Sequence, residues 1–512
     1  MKKQILTNLG SNYLFSFFGM ALGFFLVPFL IGKLGKEAFG LTVLAESTAL
    51  FFEILTVSVR VALSRHATFA LSAEKMDDFT EYLSTGRVIL YGSSAMVLAF
   101  GLVVSALFTH IFKVPPVYAL DSQILFLLIS LGFVISIPNI VFWSVLYAKQ
   151  RFDLINLSMS VGLVLRAVFL FAYYSFAPKE WQTLTAYGAI YFSMAYVQNQ
   201  MIYRWSHKVM PELSIRFRSF KRERVREILS FSIHTSMTRA SQLLYQETAH
   251  ILMNVLWGPA YNAVYSIALK LPNTMRRIFL EPSWALTPTF TDLAAKGDKK
   301  RMEELLYFYS KVLTIVTTPM SFALMFFSAP IIQAWVGPDF QLAGELMPLF
   351  SISLFVAIPF SLSGCLMNAF GKMKVPSFVS LATAVLNVLL CLGLGHWLGW
   401  RLYGIAWATV ISSLWLSTFF FPYYACQVAG ISWWSYALES MIKPFALASV
   451  SVGVGFWMFR FTPWTGNLTW MMAGAASLVS LVYYVVAYFL LFSASEKVHT
   501  RDLFGAALRR VS

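Results

Sequence analysis

The sequence predicts an all-α protein that crosses a membrane many times, and three observations support this fold class. Of its 512 residues, 58% are hydrophobic and only 12% are charged, and the mean hydropathy is +0.67. Soluble domains carry about a quarter charged residues to cover their surface. Apolar segments of roughly 20 residues, the length that spans a bilayer as a helix, recur along the whole chain. The excess apolar surface is therefore expected to face lipid.

By this length criterion we count about fourteen transmembrane helices. They lie near 11–32, 39–60, 87–110, 122–147, 154–176, 183–205, 228–256, 260–290, 306–334, 344–370, 376–398, 402–426, 440–460 and 468–493. The first follows Lys2 and Lys3, as in a secretion signal, but its apolar run is too long for one and no small-residue cleavage site follows. We therefore interpret it as the first span.

The basic residues predict the orientation of these spans. With a cytoplasmic N-terminus, the even-numbered connections are cytoplasmic, and they hold most loop cations: Arg65, Lys75, Lys149, Arg151, the Arg216–Arg226 cluster, Lys296–Arg301, Lys372 and Lys374. Cytoplasmic loops carry such an excess. Tryptophans fall at the predicted outer ends, where an aromatic belt is expected: Trp181, Trp257, Trp335, Trp397, Trp400, Trp464 and Trp470. Both termini are therefore predicted to be cytoplasmic.

Several other protein classes are disfavoured. The formal net charge of +15 comes from short runs between apolar segments, without the interleaved aromatic surface of a nucleic-acid binder. Cys365, Cys391 and Cys426 are far apart in apolar stretches, so we expect small core residues. The sequence contains no metal-ligand spacing, P-loop or nucleophile elbow. We therefore expect no cofactor, no metal and no enzyme.

An internal repeat predicts the domain organisation. Two regions match without a gap at a shift of 223 positions, obtained as 258 minus 35, so that Gly35 aligns with Gly258. Six spans separate the copies, which makes this a parallel repeat. The predicted units are a six-helix lobe at 1–210, a basic linker at 211–227, a second six-helix lobe at 228–430, and two extra helices with a basic tail at 431–512.

The candidate site residues are ionisable groups inside the spans, because loop charges reach water at little cost. They are Glu46, Glu53, Arg166, Arg239, Glu247, His250, Lys270, Arg276, Arg277 and Glu281. A charge at mid-bilayer costs roughly 2.5–3.5 kcal/mol, so together these charges facing lipid would cost on the order of 25 kcal/mol. That exceeds the net stability of a protein. We expect them to face a protein interior or a wet cavity.

Helical spacing places most of these groups on narrow stripes. The stripes contain Glu46 and Glu53 on span 2; Arg239, Gln242, Gln246 and His250 on span 7; and Lys270, Arg277 and Glu281 on span 8. We expect them to line a central cleft in which Arg239, Lys270 and Arg277 hold a phosphate. A structural seam is the alternative for span 7, and ion pairs with the carboxylates are the alternative for Lys270 and Arg277. His250 is interpreted as a hydrogen-bonded seam residue, with proton coupling as the alternative.

The remaining cations receive other interpretations. Four basic residues near the inner ends of spans are expected to extend to the lipid headgroups: Arg60, Arg87, Lys311 and Lys443. Arg276 lies off its stripe, so packing or a local ion pair is expected. For the isolated Arg166, a structural and a functional role both remain open.

Sequence motifs then indicate a family. The N-terminus runs from Lys2 to Asn12, residues 28–41 read PFLIGKLGKEAFGL, and residues 257–265 read WGPAYNAVY at the start of the second copy. With the duplicated lobes and two extra C-terminal helices, this pattern resembles the multidrug/oligosaccharidyl-lipid/polysaccharide (MOP) exporter superfamily. The resemblance covers nearly the whole chain and is to the polysaccharide branch, the bacterial O-antigen and exopolysaccharide flippases.

The resemblance implies two lobes in a V shape, with a central cavity lined by spans 1, 2, 7 and 8. It implies that the chain lies in the bacterial cytoplasmic (inner) membrane and translocates an undecaprenyl diphosphate-linked oligosaccharide by alternating access. The product would serve lipopolysaccharide O-antigen or other surface polysaccharide biosynthesis. The expected partners are this lipid-linked oligosaccharide, membrane lipids and a polysaccharide polymerase, and no nucleic acid.

Two other hypotheses stay open. The first is a cation-coupled small-molecule efflux pump of the same superfamily. Span 1 counts against it, because it offers only Ser11, Asn12 and Ser16 where the drug-exporter branch usually has a carboxylate. The second is a membrane-embedded glycosyltransferase or polymerase that uses a lipid diphosphate donor. Large extramembrane loops and clustered carboxylates would favour it, and the sequence has neither.

Overall fold

The computed structural model describes the backbone of residues 2–213, 215, 217–284, 286–451, 468–494 and 496–497. Side chains are described for these residues except 2–17, 231–235, 281–282, 284, 288, 354, 468–473 and 475–476. Every regular element in this part of the chain is helical. In lipid an α-helix satisfies its own backbone hydrogen bonds, which a lone strand cannot do.

The helices before the basic linker are α1 (Lys2–Leu34), α2 (Lys36–Leu50), α3 (Glu53–Ser72), α4 (Met76–Ala106), α5 (Phe108–Ile111), α6 (Ala119–Ser136), α7 (Ile140–Ala148), α8 (Phe152–Phe176) and α9 (Leu184–Val209). The helices after it are α10 (Arg222–Trp257), α11 (Pro259–Trp284), α12 (Thr287–Lys296), α13 (Lys299–Phe326), α14 (Ser328–Val336), α15 (Gln341–Ala357), α16 (Leu362–Ala369), α17 (Lys374–Leu390), α18 (Arg401–Ser413), α19 (Phe421–Ala429), α20 (Trp433–Ala437), α21 (described over 443–451) and α22 (Leu468–Leu491). Three stretches are π-helical: Cys391–Trp397, Leu414–Phe420 and Leu438–Ile442.

Apolar length identifies the chain as a polytopic membrane protein. In the described residues, six helical segments are long and apolar enough to cross a membrane, and eight if each of two bent helix pairs counts as one span. The bends are 47° between α2 and α3 and 73° between α13 and α14. Helices α10 and α11 fall outside this group because they carry the polar and charged residues of the predicted stripes. The count of fourteen stays a prediction.

The chain divides into two compact units. Unit 1 contains Met1–Ser266 and Ser380–Leu398, and unit 2 contains Ile267–Val379 and Gly399–Ser512. In unit 1, α10 packs on α2, α3 and α4, and α6 packs on α4 and α9. In unit 2, α13 packs on α15 and α22, and α16 packs on α12 and α19. The sequence-based lobes at 1–210 and 228–430 stay a prediction.

Small residues bring the helices of unit 1 close together. Ala62 and Leu63 on α3 are fully buried. A Cβ added at Gly86 on α4 would lie 2.7 Å from a methyl carbon of Leu63, so the Leu63 side chain would have to move. Membrane helices use small residues in this way because lipid provides no hydrophobic drive for helix association.

The core of unit 2 contains two of the cysteines. Cys365 and Cys426 are buried in one apolar cluster with Phe290, Leu362 and Tyr436. Cys391 is also buried, and all three are free thiols. The prediction that the cysteines are small core residues is confirmed.

Lys311 on α13 attaches the C-terminal helix of unit 2, and the prediction that it extends to the headgroups is wrong. Its side chain is 7% exposed. Its Nζ lies 3.0 and 3.2 Å from the two carboxylate oxygens of Glu496 and 3.1 Å from the carbonyl oxygen of Leu491, the last residue of α22. A buried cation requires such partners. Lys443 is instead half exposed and pairs with Glu439 one turn earlier.

The helix boundaries reproduce the predicted repeat. Gly35 separates α1 from α2, and Gly258 separates α10 from α11. Gly35 has φ 83° and ψ 168°, and Gly258 has φ 99° and ψ 177°, a conformation that residues with a Cβ rarely adopt. Next, α4 begins at Met76 and α13 at Lys299, and 299 minus 76 is again 223.

The two copies differ in where the second helix breaks. In the first copy the helix breaks after Leu50 and resumes at Glu53. In the second copy α11 continues without a break to Trp284, and α12 follows at Thr287. Because residues 51–52 correspond to 274–275, the break of the first copy has no counterpart at that position in the second.

Candidate functional site

The bend between α2 and α3 places two carboxylates on either side of a helix break. Glu46 lies near the end of α2, and Glu53 is the first residue of α3. A carboxylate in the first turn of a helix is stabilised by the unpaired N–H groups there. Broken membrane helices commonly bring polar groups to a binding site, because the break frees backbone and side-chain groups for other partners.

Glu53 forms an ion pair with Arg239 of α10. The two side chains are 29% and 26% exposed, so the pair is partly shielded from solvent. Arg239 also donates a hydrogen bond of 3.3 Å to the amide oxygen of Gln242. Its Nε is buried and has no hydrogen-bond partner in the described part of the chain. The cation predicted on span 7 therefore lies against the acidic stripe of span 2.

Arg60 lies near the same carboxylate. It interacts electrostatically with Glu53 and Arg239. Its guanidinium lies 5.3 Å from the ring centre of Trp143 on α7, in cation–π geometry. Two cations thus share one carboxylate, and this part of unit 1 keeps a net positive charge.

Glu46 has a different set of partners. Its carboxylate accepts a 2.7 Å hydrogen bond from the hydroxyl of Tyr187 on α9. It also lies 3.9 Å from a guanidinium nitrogen of Arg166 on α8, and that guanidinium lies 5.2 Å from the ring centre of Tyr191. The structure thus places Glu46 beside Arg166, for which the sequence predicts no specific partner.

His250 takes part in a packed contact between three helices of unit 1. Its Nδ1 donates a 2.7 Å hydrogen bond to the amide oxygen of Asn262 on α11, and Asn262 donates a 3.0 Å bond to the carbonyl of Gly40 on α2. Asn262 is fully buried. This geometry is that of a hydrogen-bonded seam. Asn262 is not among the predicted site residues, although it lies inside the 257–265 motif.

The same contact requires glycine at position 40. A Cβ added there would collide with the carbonyl oxygen of Pro259, and it would lie 2.7 Å from the carbonyl carbon. Both copies of the repeat therefore meet where their second helices begin. Close backbone approach of this kind is a usual role of glycine in membrane helices.

Helix α11 carries the predicted basic stripe. Arg277 is exposed, and among the residues whose side chains are described it has no ion pair or hydrogen bond. Lys270, seven residues earlier on the same face of the helix, is partly buried. The side chain of Glu281 lies outside the described residues. Gln242 and Gln246 are exposed on the stripe of α10.

Both ends of α10 are fixed within unit 1. At its start, Arg224 forms an ion pair with Asp78. Its guanidinium nitrogens lie 3.4 Å from a carboxylate oxygen of Glu81 and 3.2 Å from one of Glu227. Its guanidinium carbon lies 4.5 Å from the centre of the Tyr82 ring. The hydrogen bond from Tyr82, together with the Arg224 guanidinium, holds the pKa of Glu227 below its usual range. Sequence analysis did not single out this cluster, because each member looks like an ordinary loop charge.

At the other end, the connection after α5 caps α10. The backbone N–H of Lys113 donates to the amide oxygen of Asn254 at 3.1 Å, and the Asn254 amide donates to the Lys113 carbonyl at 3.2 Å. The Lys113 ammonium donates a 2.7 Å bond to the carbonyl of Leu256. A cation is favourable at a helix C-terminus. Helix α10 is therefore held at both ends and, through Arg239, along its length.

The site consists of ion pairs and hydrogen-bonded polar groups. Within the described residues, no three His, Cys, Asp or Glu side chains converge as metal ligands. In unit 1, Glu46 and Glu53 are matched with arginines. In unit 2, Arg277 has no ion pair or hydrogen bond among the described side chains. An exposed guanidinium can bind an anion, and exposed amides such as those of Gln242 and Gln246 can bind hydroxyl groups.

Comparison with known proteins gives the same architecture. Residues 235–392 match the MatE family. The chain is 22% identical to the uncharacterized membrane protein EpsK of Bacillus subtilis over 96% of each protein, and 22% identical to the amylovoran biosynthesis protein AmsL of Erwinia amylovora over 44% of this chain and 56% of AmsL.

Two solved structures share the fold. An inward-facing multidrug resistance MATE family transporter of the MOP superfamily superposes with a TM-score of 0.68 at 13% identity, covering 81% of this chain and 96% of that one. Lipid II flippase MurJ in an inward closed conformation superposes with a TM-score of 0.65 at 15% identity, covering 94% and 99%. With its internal repeat, its polytopic helical fold and its match to the MatE family over residues 235–392, the chain is similar to transporters of the multidrug/oligosaccharidyl-lipid/polysaccharide exporter superfamily.

Proposed function

We propose that this chain is a flippase that moves an oligosaccharide linked to a lipid diphosphate, of the undecaprenyl type, across the bacterial cytoplasmic membrane. It works by alternating access and serves cell-surface polysaccharide biosynthesis. The likeness to lipid II flippase MurJ over nearly the whole chain supports a lipid-linked substrate. The likeness to an amylovoran biosynthesis protein supports a polysaccharide pathway.

The observation that carries the proposal is the division of charge among the span residues. Glu46 lies beside Arg166, and Glu53 is paired with Arg239. Arg277 is exposed and has no ion pair among the described side chains. An arginine left exposed on a membrane helix is costly unless it meets water or an anion. The anion that a lipid-linked glycan offers is its diphosphate.

We assign the diphosphate to Arg277 and Lys270 on α11, since charge-assisted hydrogen bonds from cations to phosphate oxygens are strong. Arg239 is the third cation that we assign to the diphosphate, and in this structure it is paired with Glu53. The amides of Gln242 and Gln246 are exposed and suit sugar hydroxyls. Glu46 and Glu53 balance charge, and His250 holds the helices of unit 1 together.

The proposal also includes the membrane, the topology and the partners of the flippase. The chain lies in the inner membrane with both termini in the cytoplasm, where the basic linker and the basic tail meet anionic headgroups. Its partners are the lipid-linked oligosaccharide, membrane lipids and a polysaccharide polymerase that consumes the translocated product.

A cation-coupled small-molecule efflux pump is the second candidate, favoured by the TM-score of 0.68 to a MATE transporter. The two candidates differ in the charge that they bind. An efflux pump for cationic compounds needs an unpaired carboxylate, whereas the flippase needs an unpaired cation. In unit 1 the stripe carboxylates Glu46 and Glu53 have cationic neighbours, whereas Glu247 on α10 forms no ion pair with a described side chain. The pairing of the two stripe carboxylates favours the flippase.

Charge reversal at Arg277 tests the proposal. We expect Arg277→Glu to abolish surface glycan display while the protein stays in the membrane at normal abundance. Arg277→Lys is the matched control, because it keeps the charge at the same position, and we expect it to retain part of the display. Normal display by Arg277→Glu would contradict the diphosphate assignment. Increased drug susceptibility without a glycan defect would favour the efflux pump.

A further inference from the structure

Unit 1 contains a cavity of about 260 Å³ that the assignments above leave unexplained. It lies among α6, α8 and α9. Its wall is apolar apart from a few polar groups, and the residues that matter here are Ser136, Gly162, Arg166, Tyr191 and Gln198. Pockets for drug-sized ligands measure about 300–1,000 Å³, so this cavity suits a smaller molecule.

Arg166 leaves its hydrogen-bond donors unused beside this cavity. The guanidinium carries five N–H donors. Its described contacts are Glu46 at 3.9 Å, beyond hydrogen-bond reach, and the ring of Tyr191 at 5.2 Å. Among the residues that the structure describes, it donates no hydrogen bond. Because Arg166 lies near the middle of α8, a candidate span, lipid cannot satisfy these donors. A ligand in the cavity that carries hydrogen-bond acceptors would satisfy these donors.

Gln198 offers a second unused polar group. In the described part of the chain its amide makes no hydrogen bond. A Cβ at Gly162 would lie 3.2 Å from the Gln198 Cβ and 3.4 Å from its amide oxygen, so the glycine on α8 gives the amide its room. Ser136 differs, because its hydroxyl donates to Gly132 and accepts from Asn199, both at 2.7 Å. The cavity thus offers two planar polar groups that form no hydrogen bond with a described residue.

The charge of the cavity indicates a neutral ligand. Arg166 is nearly balanced by Glu46, and that carboxylate would repel a diphosphate. The remaining wall combines an aromatic ring, Tyr191, with apolar side chains such as Phe133 and Leu163. A ligand that needs several hydrogen bonds and also has an apolar face fits this wall. A sugar ring has both properties.

We propose that this cavity is a subsite for one neutral sugar ring of the transported glycan. The proposal rests on the flippase function and extends it, because it separates recognition of the sugar in unit 1 from recognition of the diphosphate by α11. Arg166 and Gln198 donate to ring hydroxyls, and Tyr191 contacts the apolar face of the ring.

The test measures binding to the purified full-length protein by saturation-transfer NMR, with glucose, galactose and N-acetylglucosamine as separate sugar probes and inorganic pyrophosphate as the anion probe. We expect at least one sugar to bind the wild type. Gly162→Ala and Gln198→Leu each remove or displace one hydrogen bond, so they should weaken that binding about fivefold. Gly92→Ala is the matched control, because a Cβ at that helical glycine meets nothing within 4 Å.

The outcomes separate the two proposals. Failure of every sugar to bind, or sugar binding that Gly162→Ala and Gln198→Leu leave unchanged, would overturn the subsite even if pyrophosphate binds. Sugar binding that depends on Gly162 and Gln198, without any pyrophosphate binding, would support the subsite and count against the diphosphate assignment. Pyrophosphate binding that is lost in Arg277→Glu, with sugar binding kept, would support both.

Discussion

Arg239 on α10 forms an ion pair with Glu53, the first residue of α3, across 186 positions of sequence. The pair lies at the bend between α2 and α3 and connects the acidic stripe of span 2 to the polar stripe of span 7. Because both side chains are about three-quarters shielded, removal of one leaves the other poorly solvated.

Exchanging these two charges tests whether the stability depends on the ion pair itself or on which residue stands at each position. We expect Arg239→Glu and Glu53→Arg to lower the stability by about 2 kcal/mol each, less than a fully buried pair would lose. The double variant restores opposite charges and should recover most of the loss. The measurement is thermal unfolding in detergent. Additive losses in the double variant would show that the two side chains are not coupled.

Gly40 should tolerate no side chain. Its Cβ would collide with the backbone of Pro259, which cannot move aside as a flexible side chain can. We expect Gly40→Ala to cost about 1–3 kcal/mol. Gly32→Ala is the matched control, since a Cβ at that helical glycine meets nothing within 4 Å. Equal melting temperatures for the two variants would contradict the close contact between α2 and the start of α11.

Glu227 should contribute to pH-dependent stability. Its pKa is held below the usual value of 4.5 by the hydrogen bond from Tyr82 and by Arg224. A lowered folded-state pKa stabilises the protein at pH values above the unfolded pKa, and this stabilisation is lost as the pH falls through the folded pKa. Melting temperatures of wild type and Glu227→Gln should therefore differ most above about pH 5 and converge as the pH falls through the lowered folded-state pKa. A difference that is constant from pH 7 to pH 3 would contradict this role.

The pair of Lys311 and Glu496 should hold the C-terminal helix. Lys311→Met leaves Glu496 without its cation, and we expect a loss of about 3 kcal/mol. Lys311→Met combined with Glu496→Gln removes both charges and should recover most of it. Limited proteolysis of the full chain measures attachment of α22, with faster cleavage near its end expected in the single variant. Similar cleavage of wild type and Lys311→Met would show that other contacts hold the helix.

Local sequence signals were sufficient for the helix starts that the two copies of the repeat share. Gly35 and Gly258 precede helices in both copies because a positive φ is a local requirement that glycine meets. The broken helix was not predictable, since the apolar pattern of residues 39–60 continues through the break. Packing of α2 on α6 and of α3 on α4 and α7 places the bend.

The ion pairs show the limit of sequence analysis for the site. Helical spacing identifies Glu53, Arg239 and Arg277 as groups that avoid lipid, because the free-energy cost of a charge in the bilayer depends on the residue and its depth. The choice of partner depends on tertiary structure. Glu496 lies 185 positions from Lys311, and Glu46 lies on a different helix from Arg166, so neither partner follows from the local sequence.

The measurement that tests the central claim most directly is the leaflet distribution of the lipid-linked oligosaccharide in living cells. It compares how much of this intermediate an impermeant glycan-binding probe reaches on intact spheroplasts before and after depletion of the chain. We predict that after depletion the intermediate accumulates in total while its externally accessible fraction falls, and that Arg277→Lys but not Arg277→Glu reverses this. An unchanged accessible fraction in depleted cells would contradict the flippase.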